Sequence, residues 1–261
     1  METMYREERL RQILQILRTQ KTVHVKDLAE RFSRSTSSIR LDLTELEQRG
    51  LVIRTHGGAI LAEGVEEGLV WDKQLLQQRL LQNEKAKQRI GKSAADLIQD
   101  GDSVLIDGGS TTYFAARALS RKSDLTIITT SVLLFPVLNS NPENRIILTG
   151  GMFHSEYMDL VGDISMDSIR RFSPDHTIIG VDGISLTSGL TSTEPSIAPL
   201  KREMIARSKD LIITADSSKF GKICLTHVAD VSPEMTLLTD TALSEEILDT
   251  FLQNGLNLLM V

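Results

Sequence analysis

The chain has 261 residues, 41% of them hydrophobic and 25% charged, which are ordinary proportions for a globular protein. Its net charge of −6 argues against non-specific coating of nucleic acid, and its single cysteine, Cys224, excludes an internal disulfide. The charged N-terminus and the lack of an apolar run of roughly 20 residues predict a cytoplasmic protein without a membrane span.

The charge is unevenly distributed along the sequence. Residues 1–56 contain eleven Lys/Arg and eight Asp/Glu, a net charge of +3, which leaves −9 for the remainder. A basic end on an acidic body favours two domains with different partners. The length is sufficient for one large or two unequal domains.

Residues 6–48 have the hydrophobic periodicity of three helices. Leu10, Ile13, Leu14 and Leu17 recur at the spacing of an amphipathic helix over 6–19. A short extended piece around 23–25 precedes a second helix at 26–32, and a third helix follows the N-cap candidate Ser35 and runs to about residue 48, where Gly50 is well placed to end it.

The third predicted helix has a polar face of small hydroxyls and one arginine, which suits insertion into the major groove of DNA. Residues 51–60 then predict two short strands around a Gly-Gly turn, which would form a wing beside that helix. The predicted DNA contacts are Ser35, Thr36, Ser37, Ser38, Arg40, Leu41, Arg54 and His56. The alternative is a generic three-helix bundle with a solvated polar face.

Residues 61–83 predict a hinge followed by a helix, with Trp71 packing this connector. Helices and strands alternate over residues 84–261, a pattern typical of a largely parallel sheet with helices on both faces. The predicted strands are 104–106, 125–129, 145–148, 177–181, 211–214, 235–238 and 256–260, and the predicted helices are 84–99, 113–119, 132–138, 164–172, 199–208 and 244–253. The chain is therefore predicted to comprise a DNA-binding domain (1–60), a connector (61–83) and an α/β domain (84–261).

Polar loops follow five of these predicted strands, and ligands of such sheets bind beyond the carboxyl ends of the strands. Glycines there permit close backbone approach, Ser/Thr hydroxyls and lysines suit a phosphate, and aspartates can accept from sugar hydroxyls. The predicted effector-binding residues are Asp107, Gly109, Ser110, Thr111, Thr112, Thr130, Gly150, Gly151, Asp182, Gly183, Lys201, Asp216 and Lys219. For the first loop alone, the alternative is a capped strand-to-helix turn with Ser110 or Thr111 as N-cap and no ligand.

Ordered motifs along residues 5–240 resemble the DeoR family of bacterial transcription regulators. In the N-terminal part they are Leu28-Ala-Glu-Arg-Phe32, Ile39-Arg-x-Asp-Leu43, Leu46-Glu-x-x-Gly-Leu51 and His56-Gly-Gly-Ala59. In the body they are Asp107-x-Gly-Ser-Thr111, Gly150-Gly151, Gly180-x-Asp-Gly183, Gly189-Leu-Thr191, Lys201-Arg202-x-Met204 and Asp216-x-Ser-Lys-Phe-Gly221. The resemblance implies an N-terminal winged helix-turn-helix followed by a Rossmann-like α/β domain, similar to ribose-5-phosphate isomerase, that binds a phosphorylated sugar.

The chain departs from the family pattern at several positions that bear on specificity. Arg34-Ser35 stands where Val-Ser is usual, Ser38 where Thr is frequent, and Leu41 where a second Arg is frequent. In the body, Thr130 replaces a usual Asn, and Ile197 replaces an acidic residue that many members have. The bases read and the sugar hydroxyls recognised are the properties that these differences affect.

These patterns favour a repressor of a carbohydrate catabolism operon that a sugar phosphate releases from double-stranded operator DNA, acting as a homodimer or homotetramer without cofactor or metal. Repression and activation are not distinguished by the sequence. One alternative is a sugar-phosphate isomerase or deaminase that uses Asp107 or Asp182 as general base and Lys219 for charge stabilisation. Another is a DNA-binding protein whose body only oligomerises, which leaves the polar loops unexplained.

Overall fold

The computed structural model describes residues 6–48, 51–61 and 78–261. The chain divides into two compact units, residues 1–73 and 74–261. Gly50, Trp71 and most of the predicted hinge lie outside the described residues. Among the residues described, no helix combines the length and apolarity that a membrane crossing requires.

The first unit has the winged helix-turn-helix arrangement that the sequence predicts. Its elements are α1 (Arg6–Gln20), β1 (Thr22–His24), α2 (Val25–Arg31), α3 (Thr36–Gln48), β2 (Val52–Thr55) and β3 (Gly58–Leu61). The three strands form an antiparallel sheet in the order β1-β3-β2, with β2 and β3 as the wing. The prediction of extended backbone at Val25 was wrong, because this residue begins α2.

One apolar core and one buried ion pair hold the three helices of this unit together. The predicted stripe of α1 and the residues Ile39, Leu43 and Leu46 of α3 are all buried in a single cluster. Beside it, Arg9 of α1 donates from Nε to Oδ2 of Asp42 in α3 at 2.6 Å, and both side chains are buried. This hydrogen bond raises the pKa of Arg9, so the guanidinium at the α1–α3 contact stays charged.

The second unit is an α/β domain. Its helices are α4 (Glu84–Asp96), α5 (Ser110–Leu119), α6 (Phe135–Leu138), α7 (Asp163–Ile169), α8 (Ala198–Arg207) and α9 (Glu245–Gln253). Its strands are β4 (Ser103–Ile106), β5 (Thr126–Thr129), β6 (Arg145–Leu148), β7 (Met152–His154), β8 (Asp159–Val161), β9 (His176–Gly180), β10 (Gly183–Ser185), β11 (Gly189–Ser192), β12 (Asp210–Thr214), β13 (Thr226–Ala229), β14 (Met235–Thr239) and β15 (Asn257–Met260).

All seven predicted strands belong to one parallel sheet, in the order β15-β14-β12-β9-β4-β5-β6. Successive residues of a strand point to opposite faces. Val104 and Ile106 accordingly join a core with α4 and α5, whereas Leu105 joins a separate core with α7, α8 and α9. Both faces are covered, which is why these strands are short continuous apolar runs.

Close packing of α4 on α5 depends on a glycine inside α4. A Cβ at Gly91 would lie 2.5 Å from the backbone of Phe114 and Ala115 in α5. A side chain at this position would therefore push the two helices apart. Since α5 starts at the end of β4, this packing also fixes the position of the turn between them.

Five strands outside the parallel sheet were not predicted. The strands β7 and β8 form an antiparallel hairpin, and β10, β11 and β13 form a second antiparallel sheet. The predicted loop residues Gly183 and Gly189-Leu-Thr191 therefore lie in strands. The predicted helix 132–138 is also too long, because Val132 N–H donates to Met158 O beside the hairpin and α6 begins only at Phe135.

Candidate effector pocket and DNA-binding face

The start of α3 presents the residues predicted to contact DNA. Ser35 precedes the helix and its Oγ accepts the N–H of Ser38 at 3.1 Å, which is the N-cap interaction predicted for it. Thr36, Ser37 and Arg40 are exposed, and Leu41 is 66% exposed. An exposed leucine between polar neighbours on the free face of the helix suits an apolar contact such as a thymine methyl group.

Arg54 has a structural role in the wing that the sequence did not predict. Its guanidinium donates from Nε to Gly58 O at 3.3 Å and from Nη1 to Arg40 O at 3.2 Å and Thr44 Oγ1 at 3.0 Å. These bonds connect the wing to α3. They occupy Nε and Nη1 of Arg54, a residue that was predicted to contact a DNA phosphate. His56 lies at the exposed tip of the wing.

A cavity of about 290 Å³ in the second unit opens at the carboxyl ends of β4, β9 and β12. Six predicted effector-binding residues line it: Gly109, Ser110, Thr111, Asp182, Lys201 and Lys219. The lining also includes Arg79, Gln82, Lys87, Gly108, Glu156, Tyr157, Gly180, Val181, Ser192, Thr193, Ile197, Lys222 and Cys224. Five basic side chains against two acidic ones favour an anionic ligand.

The turn between β4 and α5 contributes the start of a helix to this cavity. The N-cap residue is Gly109, so the interpretation with Ser110 or Thr111 as N-cap was wrong. A glycine supplies no side-chain acceptor, and the first N–H groups of a helix have no partner within the helix. With Ser110 and Thr111 in the cavity wall, these N–H groups and the helix dipole favour an anion there.

Gly108 in this turn has no room for a side chain. A Cβ would lie 2.2 Å from Oδ1 of Asp159, a buried residue of β8. Burial and the nearby charge of Asp107 raise the pKa of Asp159 to about 7, although Lys201 and the hydroxyls of Ser131 and Thr130 work in the opposite direction. The turn therefore packs directly against the carboxyl group of Asp159, which is protonated in part of the molecules near neutral pH.

Asp107 and Lys201 form an ion pair beneath the floor of the cavity. Lys201 Nζ contacts Asp107 Oδ2 and also donates to Gly180 O at 2.7 Å, while Gly180 N–H donates to Asp107 Oδ1 at 3.0 Å. Burial raises the pKa of Asp107, and the ammonium group of Lys201 opposes that rise. Lys201 lines the cavity while its Nζ is engaged with Asp107 and Gly180, and Asp107 is not among the lining residues. The roles predicted for both residues in effector binding stay predictions.

Asp182 is the carboxylate that faces the cavity. Its Oδ2 accepts from Thr193 N and Thr193 Oγ1, both at 2.9 Å, and from Ser192 Oγ at 3.2 Å. Burial favours the neutral acid, but these bonds and the charges of Lys201 and Arg79 outweigh it and hold the pKa of Asp182 below its usual value. The group is therefore an ionised acceptor, which suits the hydroxyls of a sugar.

Four basic residues of the lining, Arg79, Lys87, Lys219 and Lys222, have no carboxylate within 4.0 Å among the described residues. Lys87 is only 3% exposed, and its Nζ donates to the carbonyl oxygen of Arg79. Burial lowers the pKa of Lys87 to about 8. The negative charge of Asp216 opposes this shift, and the positive charges of Lys219 and Arg79 add to it. Buried and mutually repelling cations of this kind are relieved when an anion binds.

The remaining predicted effector-binding residues lie outside the cavity wall. Asp216 is buried, where it accepts from Asn83 Nδ2 at 3.1 Å and caps the short turn Ser217–Lys219. Gly150 and Gly151 follow β6 at the edge of the sheet, two strands away from β4. Also outside the wall are Thr112, whose Oγ1 donates to Gly109 O, Gly183 in β10, and the buried Thr130, whose Oγ1 donates to Asp159.

Sequence patterns gave no indication of several residues in and around the cavity. Arg79 lies in a Gln/Leu-rich stretch that does not follow a predicted strand, and Asp159 lies in a hairpin that was not predicted. Tyr157 and Thr193 come from loops that approach the cavity through the two antiparallel sheets. Among the described residues, no cluster of three or more His, Cys, Asp or Glu is arranged to hold a metal ion.

A winged helix with an exposed polar helix, joined in one chain to an α/β domain with a cationic cavity, defines a class of ligand-responsive DNA-binding regulators. The model of the DeoR-like helix-turn-helix domain matches residues 9–65, and the model of the DeoR C terminal sensor domain matches residues 82–241. The chain belongs to the DeoR family of transcriptional regulators.

Three relatives that are similar along most of the chain are named as repressors. The HTH-type transcriptional repressor GlcR of Bacillus subtilis is 34% identical over 98% of this chain and 97% of its own length. The putative aga operon transcriptional repressor of Escherichia coli O157:H7 is 30% identical, covering 97% and 93%. The glycerol-3-phosphate regulon repressor of Escherichia coli K12 is 31% identical, covering 87% and 88%.

Two solved structures that the chain resembles are distant from it. A D-ribose-5-phosphate isomerase in complex with phospho-erythronic acid aligns with a TM-score of 0.40 and 17% identity, over 52% of this chain and 54% of its own. The translation initiation factor subunit eIF2B delta from Chaetomium thermophilum also gives a TM-score of 0.40, at 15% identity over 58% and 53%.

Proposed function

We propose that this protein represses a carbohydrate catabolism operon and leaves its operator when a phosphorylated sugar occupies the cavity at the ends of β4, β9 and β12. The observation that carries the proposal is the cavity itself. It combines the free start of α5, four basic side chains that no carboxylate of the described residues pairs with, and the ionised acceptor Asp182. The names of the relatives, two of which refer to the aga operon and the glycerol-3-phosphate regulon, support the same role.

Each part of the ligand has a matching part of the cavity. The phosphate would accept from the N–H groups and hydroxyls of Ser110 and Thr111 and pair with Lys219 and its basic neighbours. The sugar hydroxyls would donate to Asp182, whose other bonds to Ser192 and Thr193 fix its orientation. The buried pair Asp107–Lys201 would position both the phosphate-binding and the sugar-binding parts of the cavity, because both of its members bond to the backbone of Gly180.

On the DNA side, the start of α3 would enter the major groove, with Arg40 and the hydroxyls of Ser37 and Ser38 at base edges or phosphates. One winged helix contacts few base pairs, so we propose that a homodimer or homotetramer binds repeated half-sites. A sugar phosphate can release DNA only by binding more tightly to the state of the protein that does not fit the operator.

We propose that the cavity binds its ligand without converting it. The enzyme alternative uses Asp107 or Asp182 as general base. Asp107 is sealed beneath the floor by Lys201, and the depressed pKa of Asp182 makes it a weak base. The names of the relatives as repressors support the same conclusion.

The test is a thermal-shift screen of the full-length protein against glycerol 3-phosphate, pentose 5-phosphates, and hexose 1- and 6-phosphates, each beside its unphosphorylated parent. We expect at least one phosphorylated compound to raise the melting temperature, because a ligand that binds only the folded state stabilises it. The same compound should release the protein from DNA of the upstream region and be recovered unchanged. Absence of any phosphate-dependent shift contradicts the proposal, and turnover of a hit supports the enzyme alternative.

A further inference from the structure

Arg79 is a cavity residue that lies in neither of the two matched family domains. It belongs to the end of the connector, residues 78–83, where the chain is helical over 78–81 before α4 begins. The helix-turn-helix match ends at residue 65 and the sensor match begins at residue 82. In chain order, Arg79 therefore stands between the DNA-binding domain and the sensor domain, yet its side chain lines the cavity.

Two contacts of Arg79 and one of Asn83 hold this end of the connector beside the cavity, and in the last of these Asn83 Nδ2 donates to Asp216 Oδ1 at 3.1 Å. The carbonyl oxygen of Arg79 accepts from the buried Nζ of Lys87. Its guanidinium carbon lies 5.0 Å from the centre of the Tyr157 ring, a cation–π arrangement, and Tyr157 Oη lies 3.3 Å from Thr193 Oγ1. The positive charge of Arg79 also helps to lower the pKa of Asp182, the carboxylate that lines the same cavity.

The guanidinium has no anionic partner in the part of the chain that the structure describes. No carboxylate oxygen there lies within 4.0 Å of it, although Asp182 and Glu156 line the same cavity. A guanidinium whose face lies on an aromatic ring keeps its edge free for a pair of parallel hydrogen bonds to a phosphate. Lys87 is repelled by both Arg79 and Lys219, and an anion that binds beside these charges relieves that repulsion.

We propose that Arg79 binds the phosphate of the effector directly and so makes the connector part of the binding site. This inference rests on the proposed function. An occupied cavity then holds residues 78–83 in one position through bonds from the ligand to Arg79 and to the turn at Ser110. An empty cavity lacks those bonds, and residues 78–83 then keep their contacts within the protein, among them those to Lys87, Tyr157 and Asp216. Ligand binding is thereby transmitted along the backbone to the segment that precedes the sensor domain.

The test compares full-length Arg79→Met and Arg79→Lys with the wild-type protein. The probes are inorganic phosphate and the screened sugar phosphate that stabilises the wild type most. Arg79→Met should weaken binding of the sugar phosphate by about tenfold or more, the usual effect of losing a charge-assisted pair, and leave the unphosphorylated parent unaffected. Arg79→Lys should recover part of the affinity, because it keeps the charge but loses the paired geometry. The control is Arg121→Met, an exposed arginine beyond the far end of α5.

Two further measurements distinguish coupling from binding alone. Amide exchange in residues 78–83 should slow when the wild type is saturated with sugar phosphate, and this protection should be lost in Arg79→Met even at saturation, while that of residues 108–112 persists. Saturated Arg79→Met should also release less DNA than the saturated wild type. Unchanged affinity, or full release and full protection at saturation, would overturn the inference. If no sugar phosphate binds the wild type, the proposed function itself fails, which is a different result.

Discussion

At the scale of single residues, the cavity depends on charged groups whose partners were not evident from the sequence. Asp107 and Lys201 were predicted to touch the ligand, and in the structure they form a buried ion pair of which only Lys201 lines the cavity. A variant that removes Asp107 leaves a buried unpaired lysine, which typically costs about 3–5 kcal/mol, so it tests folding more than binding. Lys219 and Lys87 are better targets because no carboxylate of the described residues pairs with them.

Lys87 predicts a specific pH dependence of ligand binding. Its pKa of about 8 means that the ammonium form is lost as the pH rises through 8, whereas a phosphate ester remains dianionic above its second pKa of about 6. Affinity for the sugar phosphate should therefore decline as the pH rises above about 8. In Lys87→Met, binding should be weaker at pH 7 and independent of pH in this range, as measured by calorimetric titration at pH 7, 8 and 9.

The matched control is Lys85→Met, an exposed lysine on the same helix that does not line the cavity. It should keep the pH profile of the wild type. The stability of the unliganded protein should change in the opposite direction to its affinity. A lysine with a lowered pKa in the folded state contributes a gain in the free energy of unfolding as the pH rises from about 8 toward 10. A wild-type affinity that stays constant from pH 7 to pH 9 would contradict the role given to Lys87.

At the scale of elements, the sequence predicted what repeats regularly and missed what depends on distant contacts. The seven strands of the parallel sheet and the helices of the first unit have strong local periodicity, and their positions were correct to within a few residues. The hairpin β7–β8 has no such signal, because Met152 and Phe153 are exposed on it, and its Asp159 pairs with Ser131 from an earlier part of the chain.

The same distinction explains which site residues were found. Ser110 and Lys219 follow buried strands, and the rule that parallel strands end at one edge of a sheet brings them into one cavity. The order of the strands is not encoded locally, so the sequence could not show that Gly150 and Gly151 lie at the edge of the sheet. Arg79 reaches the cavity only through tertiary contacts with Lys87 and Tyr157.

The helix α3 carries a prediction about DNA recognition. Arg40→Ala should weaken operator binding by about tenfold or more if Arg40 pairs with a guanine, because a bidentate contact contributes about 1–3 kcal/mol of base discrimination. The fold should be retained, since the side chain is exposed and alanine favours a helix. Fluorescence anisotropy against the operator and single-base variants measures the effect.

The same experiment tells a base contact from a phosphate contact. If Arg40 reads a base, specificity relaxes at one position of the operator, whereas loss of a phosphate contact weakens all sequences alike and reduces the salt dependence by about one ion. Arg121→Ala in the second unit serves as the charge-matched control, and it should bind DNA as the wild type does. Undiminished operator affinity of Arg40→Ala would remove this residue from the interface.

At the scale of the whole molecule, two compact units carry two kinds of site on one chain. The first has a helix that exposes small hydroxyls and Arg40 beside a wing, and the second has a cationic cavity at the carboxyl ends of parallel strands. Between the two family domains lie residues 66–81, whose described end contributes Arg79 to the cavity. The central claim is that ligand in the second unit changes DNA binding by the first.

The most direct test is a release titration, in which a labelled operator fragment bound to the full-length protein is titrated with the sugar phosphate identified by screening. Wild-type protein should release DNA as the ligand saturates the cavity. Lys219→Gln should bind the operator with unchanged affinity and require at least about tenfold more ligand for the same release, because it loses one charged contact to the phosphate. Equal release curves for the two proteins, or DNA that stays bound to wild-type protein already saturated with ligand, would contradict the account.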